Sequence, residues 1–382
     1  MNASRRPKIL HCVTWFRLGG AERVAISLAS ELHERFDFAV HAVLGLSPDV
    51  VGRDLQAKLR AHGIPHHAGT RVPIKLGGLL TGALSLLRTI DRVRPDIVHL
   101  HTEIPEATYA VALALRPDLK SIPVARTIHN SRYWHHWSAI GRWTHGRLPP
   151  SHIAAVSRDS LAAFETHAHL AGNPAAPHTT RIIFNGAVPP CPSFAPVRSV
   201  HLPLRLLFAG RFDHQKGADL LPEILQHLSS SPVPSCEFTV AGQGDLARNL
   251  RNLAQFAPPR WRIELRPPIQ NLDTRLHDFD AVLMPSRFEG LSLLAIETLM
   301  RKIPLIATRA PGLRESFPPD YPWLAEPGSP ADFARILRLA LDSPAQLPAV
   351  AESARTFVLH EFSLAKTTQR YAELYAQIAA AS

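Results

Sequence analysis

The sequence predicts an α/β protein of two domains, each a parallel sheet covered by helices. Short apolar runs that fit buried strands alternate with amphipathic stretches that fit helices along most of the 382 residues. Such alternation is typical of βαβ crossovers, which produce parallel sheets. The pattern stops at residues 188–203, which hold five prolines and no periodicity, and then restarts. The chain length also suits two domains of ordinary size.

The elements follow in order along each half. In the first half we predict strands at 8–13, 38–45, 96–102, 122–129, 152–157 and 181–187, and helices at 19–36, 50–62, 77–93, 104–115 and 157–170. In the second half we predict strands at 204–211, 237–242, 261–266, 281–286 and 303–308, with helices between them, such as 218–228. The helix at 19–36 rests on apolar residues at 21, 24, 25, 28, 29 and 32, a helical spacing.

We therefore expect two Rossmann-like domains, residues 1–190 and 204–361, joined by a linker at 191–203 and facing each other across a cleft. Ligands of open parallel sheets bind outside the carboxyl ends of the strands. The loops that follow the predicted strands are thus where a site is expected.

Composition narrows the class of protein. With 42 Lys and Arg against 32 Asp and Glu, the formal net charge is +10, which favours an anionic partner such as a phosphorylated small molecule or a membrane surface. Neither a zinc-finger nor an RNP-type motif is present, so nucleic acid is not expected as a partner. The sequence contains no apolar run long enough to span a bilayer, and its N-terminus, MNASRRPKIL, lacks the features of a signal peptide. The three cysteines show no disulfide or metal-ligand spacing, so we expect a cytoplasmic protein.

The loop GRFDHQKG, residues 210–217, follows the first strand of the second half. Gly210 ends the strand, Arg211 and Lys216 supply two cations, and Gly217 allows the chain to turn into the next helix. Such cations at a strand end are suited to holding a diphosphate. The alternative is a pair of ordinary surface cations. The turn AGQGDL, which contains Gly242, follows the next strand and is by itself a weak nucleotide signal.

Glu289 and Glu297 bracket the uncharged segment of RFEGLSLLAIE, directly after the predicted strand 281–286. In one interpretation both carboxylates bind a ligand at the mouth of a helix that begins near Leu291. In the other, Glu289 favours the positive helix N-terminus and Glu297 pairs with Arg301 on a solvated face.

Two further stretches belong to the first half. In LGGAER, Gly19 and Gly20 permit close approach of a ligand to a helix N-terminus, although a simple tight turn is the alternative. In RTIHN, His129 stands at a strand end, as His101 does one strand earlier, and either residue can be purely structural.

Two other stretches carry residue types that are found in binding sites. The aromatic and basic segment 133–147 fits an acceptor wall, a membrane-interface patch or an ordinary loop. Asp278 and Asp280 stand at the amino end of a strand, the wrong end for a site, so no metal site is predicted there or elsewhere.

The motifs LGGAER, TIHN, FNGA, GRFDHQKG, AGQGDL and PSRFEGLSLLAIE, in this order, resemble the retaining GT-B glycosyltransferases. More narrowly, they are similar to the bacterial Leloir hexosyltransferases marked by Glu-x7-Glu, which are glycosyltransferase family 4-like. The similarity covers nearly the whole chain.

The resemblance implies a role for each matching residue. Arg211 and Lys216 grip the donor diphosphate, Glu289 binds sugar hydroxyls, Glu297 binds the ribose, and His129 lies near the anomeric carbon. The donor-binding set also includes Gly19, Gly20, Gly210, Gly242, Ser292 and Leu293. A C-terminal helix within 362–382 packs back on the first domain. The chain departs from the family pattern at Pro267 and Pro268, where the base packs, and at Asp245.

The resemblance further implies a metal-independent hexosyltransferase that uses a nucleotide-diphosphate sugar. The acceptor is a lipid-linked or polysaccharide intermediate in cell-envelope or exopolysaccharide synthesis. Together with the net charge of +10, this suggests peripheral contact with the inner face of a bacterial membrane. A nucleotide-sugar epimerase of the same fold and a catalytically degenerate scaffold protein are the alternatives.

Overall fold

The computed structural model describes residues 5–17, 19–45, 50–172, 179–190, 202–230 and 232–381. The chain divides into two compact units. The N-terminal unit holds Met1–Phe184 and Ala365–Ser382, and the C-terminal unit holds Asn185–Leu364. The linker expected at 191–203 falls almost entirely outside the described residues.

The N-terminal unit is a parallel seven-stranded sheet in the order β3-β2-β1-β4-β5-β6-β7. Its strands are Lys8–Val13 (β1), Asp37–Ala42 (β2), His66–Ala68 (β3), Ile97–His101 (β4), Val124–Ile128 (β5), Ser151–Ala155 (β6) and Thr179–Ile182 (β7). Its helices are Gly20–Leu32 (α1), Val50–Ala61 (α2), Gly78–Val93 (α3), Glu103–Leu115 (α4), Ser138–His145 (α5) and Arg158–Leu170 (α6).

The C-terminal unit is a parallel six-stranded sheet in the order β10-β9-β8-β11-β12-β13. Its strands are Leu204–Arg211 (β8), Cys236–Gln243 (β9), Trp261–Arg266 (β10), Ala281–Met284 (β11), Leu305–Thr308 (β12) and Leu324–Ala325 (β13). Its helices are Leu221–Ser229 (α7), Leu272–Arg275 (α8), Leu293–Met300 (α9), Pro330–Asp342 (α10) and Leu347–Glu361 (α11). The last helix, Leu364–Ala381 (α12), packs in the N-terminal unit.

Two parallel sheets with crossover helices confirm the predicted α/β class. The elements that the sequence did not predict are β3, α5, β13, α10 and α11. The strand β3 is three residues of HHA without an apolar alternation, and β13 is two residues long. Both are edge strands, recognisable only from their neighbours in the sheet.

Local chemistry explains where the site loops turn. Gly217 adopts φ +69°, and a Cβ at this position would lie 2.1 Å from the carbonyl oxygen of Pro285. Only glycine fits such a left-handed, crowded position. Gly217 therefore lets the loop after β8 pass directly against the loop after β11.

Among the described residues, each helix is either too short or too polar to span a membrane.

Candidate functional site

The carboxyl ends of β8 and β11 bring together Lys216 and Glu289, which sequence reasoning placed in one site. Nζ of Lys216 donates to Oε1 and Oε2 of Glu289 at 2.7 and 2.8 Å. The Lys216 side chain is 22% exposed and that of Glu289 only 6%. An ammonium group has three N–H donors, so this pairing leaves one of them for another acceptor.

Two more hydrogen bonds fix Glu289 in place, and a third holds Ser286, which makes one of them. Oγ of Ser286 donates to Oε1 of Glu289 at 2.8 Å, and the Glu289 backbone N–H donates to the carbonyl of Pro311 at 2.8 Å. Thr308, at the end of β12, donates from Oγ1 to the carbonyl of Ser286 at 2.5 Å. Sequence reasoning missed Ser286 and Thr308, whose only sequence signal is a hydroxyl residue at a strand end.

Arg211 lies at the end of β8 and is held on the same loop. It donates to Oε1 of Gln215 at 2.7 Å and pairs with Asp213 at 2.8 Å. Asp213 in turn accepts from the Lys216 backbone N–H at 2.9 Å. Arg211 and Lys216 thus share a loop braced by Asp213, and the Arg211 side chain is still about half exposed.

The helix α9 begins two residues later than predicted. Ser292 is its N-cap, with Oγ accepting from the Ala295 backbone N–H at 3.4 Å, and Leu293 is its first residue. Glu297 lies inside the helix and is buried. Arg301, which one interpretation of the sequence pairs with the Glu297 side chain, donates to the backbone carbonyl of Glu297 and forms an ion pair with Asp273.

Asn185, from the FNGA motif, supports this helix start from the other side. Its Nδ2 donates to the carbonyl of Leu291 at 3.1 Å, and Asn185 is buried. The sequence marked FNGA only as part of the ordered motif set. The structure gives Asn185 a physical role in holding the segment between Glu289 and Ser292.

The glycines of the site differ in whether neighbouring atoms leave room for a side chain. A Cβ at Gly242 would lie 1.9 Å from the carbonyl oxygen of Gly210, so strand packing alone excludes a side chain there. A Cβ at Gly210 would meet the Lys216 side chain at an ordinary 3.7 Å. A Cβ at Gly20, in the N-terminal unit, would have nothing within 4 Å, whereas one at Gly19 would meet the Glu22 carboxylate. No described protein atom near Gly20 therefore requires glycine there.

In the N-terminal unit, His129 follows β5 and His101 ends β4. Nδ1 of His101 lies 3.0 Å from Nε2 of His129. Burial lowers the pKa of His129 to about 3, and burial together with the neighbouring His99 and His11 lowers the pKa of His101 well below its usual value. Both rings are therefore neutral at physiological pH.

Beneath this pair, five hydrogen bonds form one continuous chain of buried groups, all of whose protons can be assigned. Nδ1 of His11 bonds the carbonyl of Ala25 at 3.1 Å, and because a carbonyl only accepts, Nδ1 carries the proton. Burial lowers the pKa of His11 to about 3, so the ring is neutral and its Nε2 accepts from Tyr375 at 2.9 Å.

Donors and acceptors in the other three hydrogen bonds of this chain follow in the same way. The Tyr375 oxygen accepts from Nδ1 of His99 at 2.7 Å, and Nε2 of His99 accepts from Thr127 at 2.7 Å. Thr127 then accepts from the Tyr371 hydroxyl at 3.0 Å. Each donor proton is used once, so the chain runs in one direction from Tyr371 to Ala25. It joins α12 to β5, β4, β1 and α1.

The same chain bears on metal binding. His11, His99 and His101 offer ring nitrogens that lie within 4.8 Å of one another. However, both nitrogens of His11 and both of His99 already bond protein groups. A metal ion would have to replace those bonds, so the donor set fits the hydrogen-bond chain better than a metal centre.

Glu103 is a titratable residue near this strand end that sequence reasoning missed. It is the first residue of α4, and burial, with a smaller contribution from Glu106, raises its pKa to about 7. Glu106 itself is buried and bonds Arg126, which is also fully buried, at 3.0 Å. Glu103 is thus a carboxyl group that titrates near neutral pH.

Asp280, which the sequence places with Asp278 at the amino end of a strand, has a structural partner. It accepts from the backbone N–H and the guanidinium of Arg205 at the start of β8, at distances of 2.8 to 3.3 Å. This is the amino end of the sheet, as the sequence predicted.

The segment 133–147 forms α5 and places aromatic residues on the surface. Trp137 directly before α5 and Ile140 and Trp143 on it are exposed, as are Leu76 just before α3 and Leu80 and Leu84 on it. The helices α3, α4 and α5 pack in a row. The nearby cations Arg71, Lys75, Arg132, Arg142 and Arg147 are also exposed, and the segments 71–90 and 131–147 contain no acidic residue.

Comparison with known proteins gives a consistent result. Residues 18–187 match the family model described as Glycosyltransferase Family 4, and residues 196–357 match the one described as Glycosyl transferases group 1. A glycogen synthase of Mycobacterium tuberculosis is 28% identical over 344 residues, covering 85% of this chain and 76% of that protein. The alpha-D-kanosaminyltransferase of Streptomyces kanamyceticus is 24% identical over 373 residues, covering 88% and 95%.

Solved structures share the whole architecture. Anabaena HepE in complex with UDP and glucose superposes with a TM-score of 0.76 at 20% identity, covering 97% of this chain and all of that one. A sucrose-phosphate synthase of Thermosynechococcus elongatus also gives a TM-score of 0.76, at 16% identity and 99% coverage of this chain. At these identities the likeness bears on the fold, and the expected fold is confirmed.

Proposed function

We propose that the chain, whose two halves match glycosyltransferase family models, is a GT-B glycosyltransferase of the family 4-like type that moves a hexose from a nucleotide-diphosphate sugar to a hydroxyl acceptor with retention of anomeric configuration. The observation that carries the proposal is the joining of Lys216 and Glu289, with Arg211 on the same braced loop, at the carboxyl ends of neighbouring strands.

The chemistry that these residues supply is stabilisation of the leaving group. Breaking the bond from sugar to diphosphate develops negative charge on a phosphate oxygen. Lys216 keeps one N–H beyond its pair with Glu289, and Arg211 is about half exposed, so both can donate to that diphosphate. Preorganised cations at the position where charge develops are a large source of rate enhancement. We propose that they act without a metal ion.

The remaining residues position the donor. Glu289 accepts from sugar hydroxyls with the lone pairs that its bonds to Lys216 and Ser286 leave. The backbone N–H groups at Ser292 and Leu293 approach the phosphates, and Glu297 binds the ribose. Gly19 and Gly20 allow close approach of the diphosphate to α1, and His129 bonds the donor near the anomeric carbon. Because HepE is described in complex with UDP and glucose, UDP is the first nucleotide to test.

We further propose that the acceptor is a lipid-linked or polysaccharide intermediate of the cell envelope, met at the inner face of the plasma membrane. The support is the surface formed by the exposed apolar residues of α3 and α5 with the cations around them, here called the α3–α5 surface. Tryptophan and arginine suit the headgroup region, and cations attract anionic lipids. Segments 71–90 and 131–147, which carry these cations, contain no acidic residue.

A donor panel tests the proposed reaction. UDP-, GDP-, ADP- and dTDP-sugars are incubated with the protein, with and without a lipid-linked acceptor, and products are followed by mass spectrometry and NMR. Acceptor-dependent transfer that retains the anomeric configuration is expected. Conversion of a donor in the absence of acceptor would indicate an epimerase, and no reaction with any donor would indicate a scaffold protein.

Flotation with vesicles tests the membrane contact separately. We expect binding to vesicles that contain anionic phosphatidylglycerol at low salt, and loss of binding in Trp137→Ser/Trp143→Ser. Leu339→Ser is the matched control, because Leu339 is an exposed apolar residue on α10, outside the α3–α5 surface. Equal flotation of both variants, or none of the wild-type protein, would refute this part of the proposal.

A further inference from the structure

The histidine pair at the carboxyl ends of β4 and β5 contains one residue to which the proposed function gives no role. His101 is fully buried and lies with Nδ1 3.0 Å from Nε2 of His129. His129 is only partly buried, and its Nδ1 has no hydrogen bond to any residue that the structure describes. His129 therefore has one nitrogen held by His101 and the other available to a ligand.

The proton between the two rings can sit in two ways. Either Nδ1–H of His101 donates to His129, or Nε2–H of His129 donates to His101. Nε2 of His101 is buried without a hydrogen-bond partner among the described residues. In the second arrangement this atom carries an unpaired, buried N–H, whereas in the first it is an unpaired acceptor. Buried N–H groups without a partner are the rarer of the two, which favours the first arrangement.

The surroundings of His101 leave it no other partner in the described structure. Its ring centroid lies 4.0 Å from that of His99 and 4.9 Å from that of His11. All nitrogens of those two rings are engaged in the chain of hydrogen bonds from Tyr371 to Ala25. The hydrogen-bond chain thus fixes the two rings that pack against His101.

We infer that His101 is a positioning residue that donates its Nδ1–H to Nε2 of His129, so that His129 keeps its own proton on Nδ1 and presents that N–H to an oxygen of the donor substrate. The inference rests on the proposed function and deepens it. It makes His129 a hydrogen-bond donor to a sugar hydroxyl or phosphate oxygen and not a proton acceptor in the reaction.

Substitutions at His101 test the inference, because they move the hydrogen-bond donor to different positions. The amide nitrogen of asparagine can occupy the place of Nδ1, whereas that of glutamine reaches the place of Nε2. We expect His101→Asn to retain kcat for hydrolysis of UDP-glucose, or of the most active donor in the panel, within about threefold. His101→Gln and His101→Leu should lose about tenfold or more, because a misaligned donor group slows the reaction. The KM for the donor should change less than kcat.

His41 is a matched control. It is fully buried in the same sheet, bonds Thr89 through Nδ1 at 3.0 Å, and has a buried Nε2 without a partner, as His101 does. His41→Gln and His101→Gln should lower the melting temperature to a similar extent, but only His101→Gln should lower kcat. Equal losses of kcat at positions 41 and 101 would reduce His101 to a structural role.

A second measurement does not depend on activity. In protein labelled with ¹⁵N-histidine and assigned with His101→Asn and His129→Asn variants, the ¹⁵N shifts should show His129 protonated at Nδ1 and unprotonated at Nε2. A proton on Nε2 of His129, or equal kcat in His101→Asn and His101→Gln, would overturn the inference. If the wild-type protein reacts with no donor, the proposed function fails, while the ¹⁵N shifts still decide the arrangement of the pair.

Discussion

The two units place polar groups at the carboxyl edges of their sheets in opposite ways. In the N-terminal unit the hydrogen-bond chain consists of uncharged histidine, tyrosine and threonine side chains, and the ion pair of Glu106 with Arg126 is fully buried. In the C-terminal unit the ion pair of Lys216 with Glu289 keeps a partly exposed cation, and Arg211 beside it is about half exposed. The described histidines of the C-terminal unit, at 214, 227, 277 and 360, are all exposed.

The difference indicates a division of work. A charged group at a strand end can neutralise a phosphate, which is what leaving-group stabilisation requires. A chain of neutral groups with assigned protons cannot do that, but it fixes ring orientations and ties α12 to three strands. At these strand ends the C-terminal unit therefore presents accessible cations, and the N-terminal unit presents neutral side chains held by hydrogen bonds.

The largest expected effect is at Lys216. Lys216→Met should lower kcat by roughly 100- to 1,000-fold, because it removes a cation at the developing charge. It should also cost about 3 kcal/mol in the free energy of unfolding, since Glu289 would be left buried and unpaired. Initial rates and urea unfolding measure the two effects.

Two variants isolate the cause. Lys216→Met/Glu289→Gln should recover most of the stability and none of the activity. Lys302→Met is the matched control, because Lys302 pairs with the half-exposed Glu352, and exposed pairs contribute less than about 1 kcal/mol. Wild-type activity in Lys216→Met would show that the Lys216 cation does not stabilise the leaving group.

Lowering the pH should destabilise the N-terminal unit more than the C-terminal unit. Folding lowers the pKa of His11 and His41 to about 3, so below pH about 6.5 the unfolded chain binds more protons than the folded one. Stability is thus complete above pH 6.5 and falls as the pH drops toward 3. At pH 5 the loss is on the order of 2 kcal/mol for each of these histidines.

Hydrogen exchange at pH 7.5 and pH 5, corrected for intrinsic rates, measures this by unit. Protection should fall first in the N-terminal unit, where the buried histidines lie. Equal loss of protection in both units would contradict the comparison.

The two tyrosine hydroxyl groups of α12 should contribute unequally to the free energy of unfolding. Tyr375→Phe leaves both Nδ1–H of His99 and Nε2 of His11 unpaired, at a cost of about 2–4 kcal/mol. Tyr371→Phe removes only the proton at the start of the chain, at a cost of about 1 kcal/mol. Urea unfolding of the two variants, which are identical in chemistry, compares them directly; equal costs would refute the one-way chain.

The smallest effect on stability is expected at Gly20. Gly20→Ala should leave the free energy of unfolding unchanged or raise it by up to about 1 kcal/mol, because alanine favours a helix and meets no protein atom there. The same methyl group should lower kcat/KM for the donor by about tenfold if a ligand approaches α1 closely. Gly146→Ala, where a Cβ makes ordinary contacts at 3.6 Å, is the control. An unchanged kcat/KM in Gly20→Ala would show that the donor does not approach Gly20 closely.

Much of the fold was predictable because parallel strands buried on both faces are continuous apolar runs, as in 281–286 and 303–308. Charged residues at their ends, such as Arg211 and Lys216, are visible because a cation after an apolar strand is conspicuous. The start of α9 was predicted two residues early because the cap depends on which hydroxyl, here Ser292, bonds the first turn.

The hydrogen-bond chain could not be predicted. His99 and Thr127 lie on different strands, and the tyrosines that complete the chain are more than 200 residues away in α12. Two weak signals exist: histidines at i and i+2 in HLH share one face of a strand, and Tyr371 and Tyr375 share one face of a helix. Only tertiary structure shows that the two faces meet.

Calorimetric titration can show whether the loop with Arg211 and Lys216 binds a diphosphate. The nucleoside diphosphate of the most active donor is compared with its nucleoside, in the wild-type protein and in Arg211→Ala/Lys216→Met. We expect the wild-type protein to bind the diphosphate at least about 100-fold more tightly than the nucleoside, a difference of about 2.7 kcal/mol, and the variant to lose most of this preference. Equal preference in the two proteins would contradict this expectation.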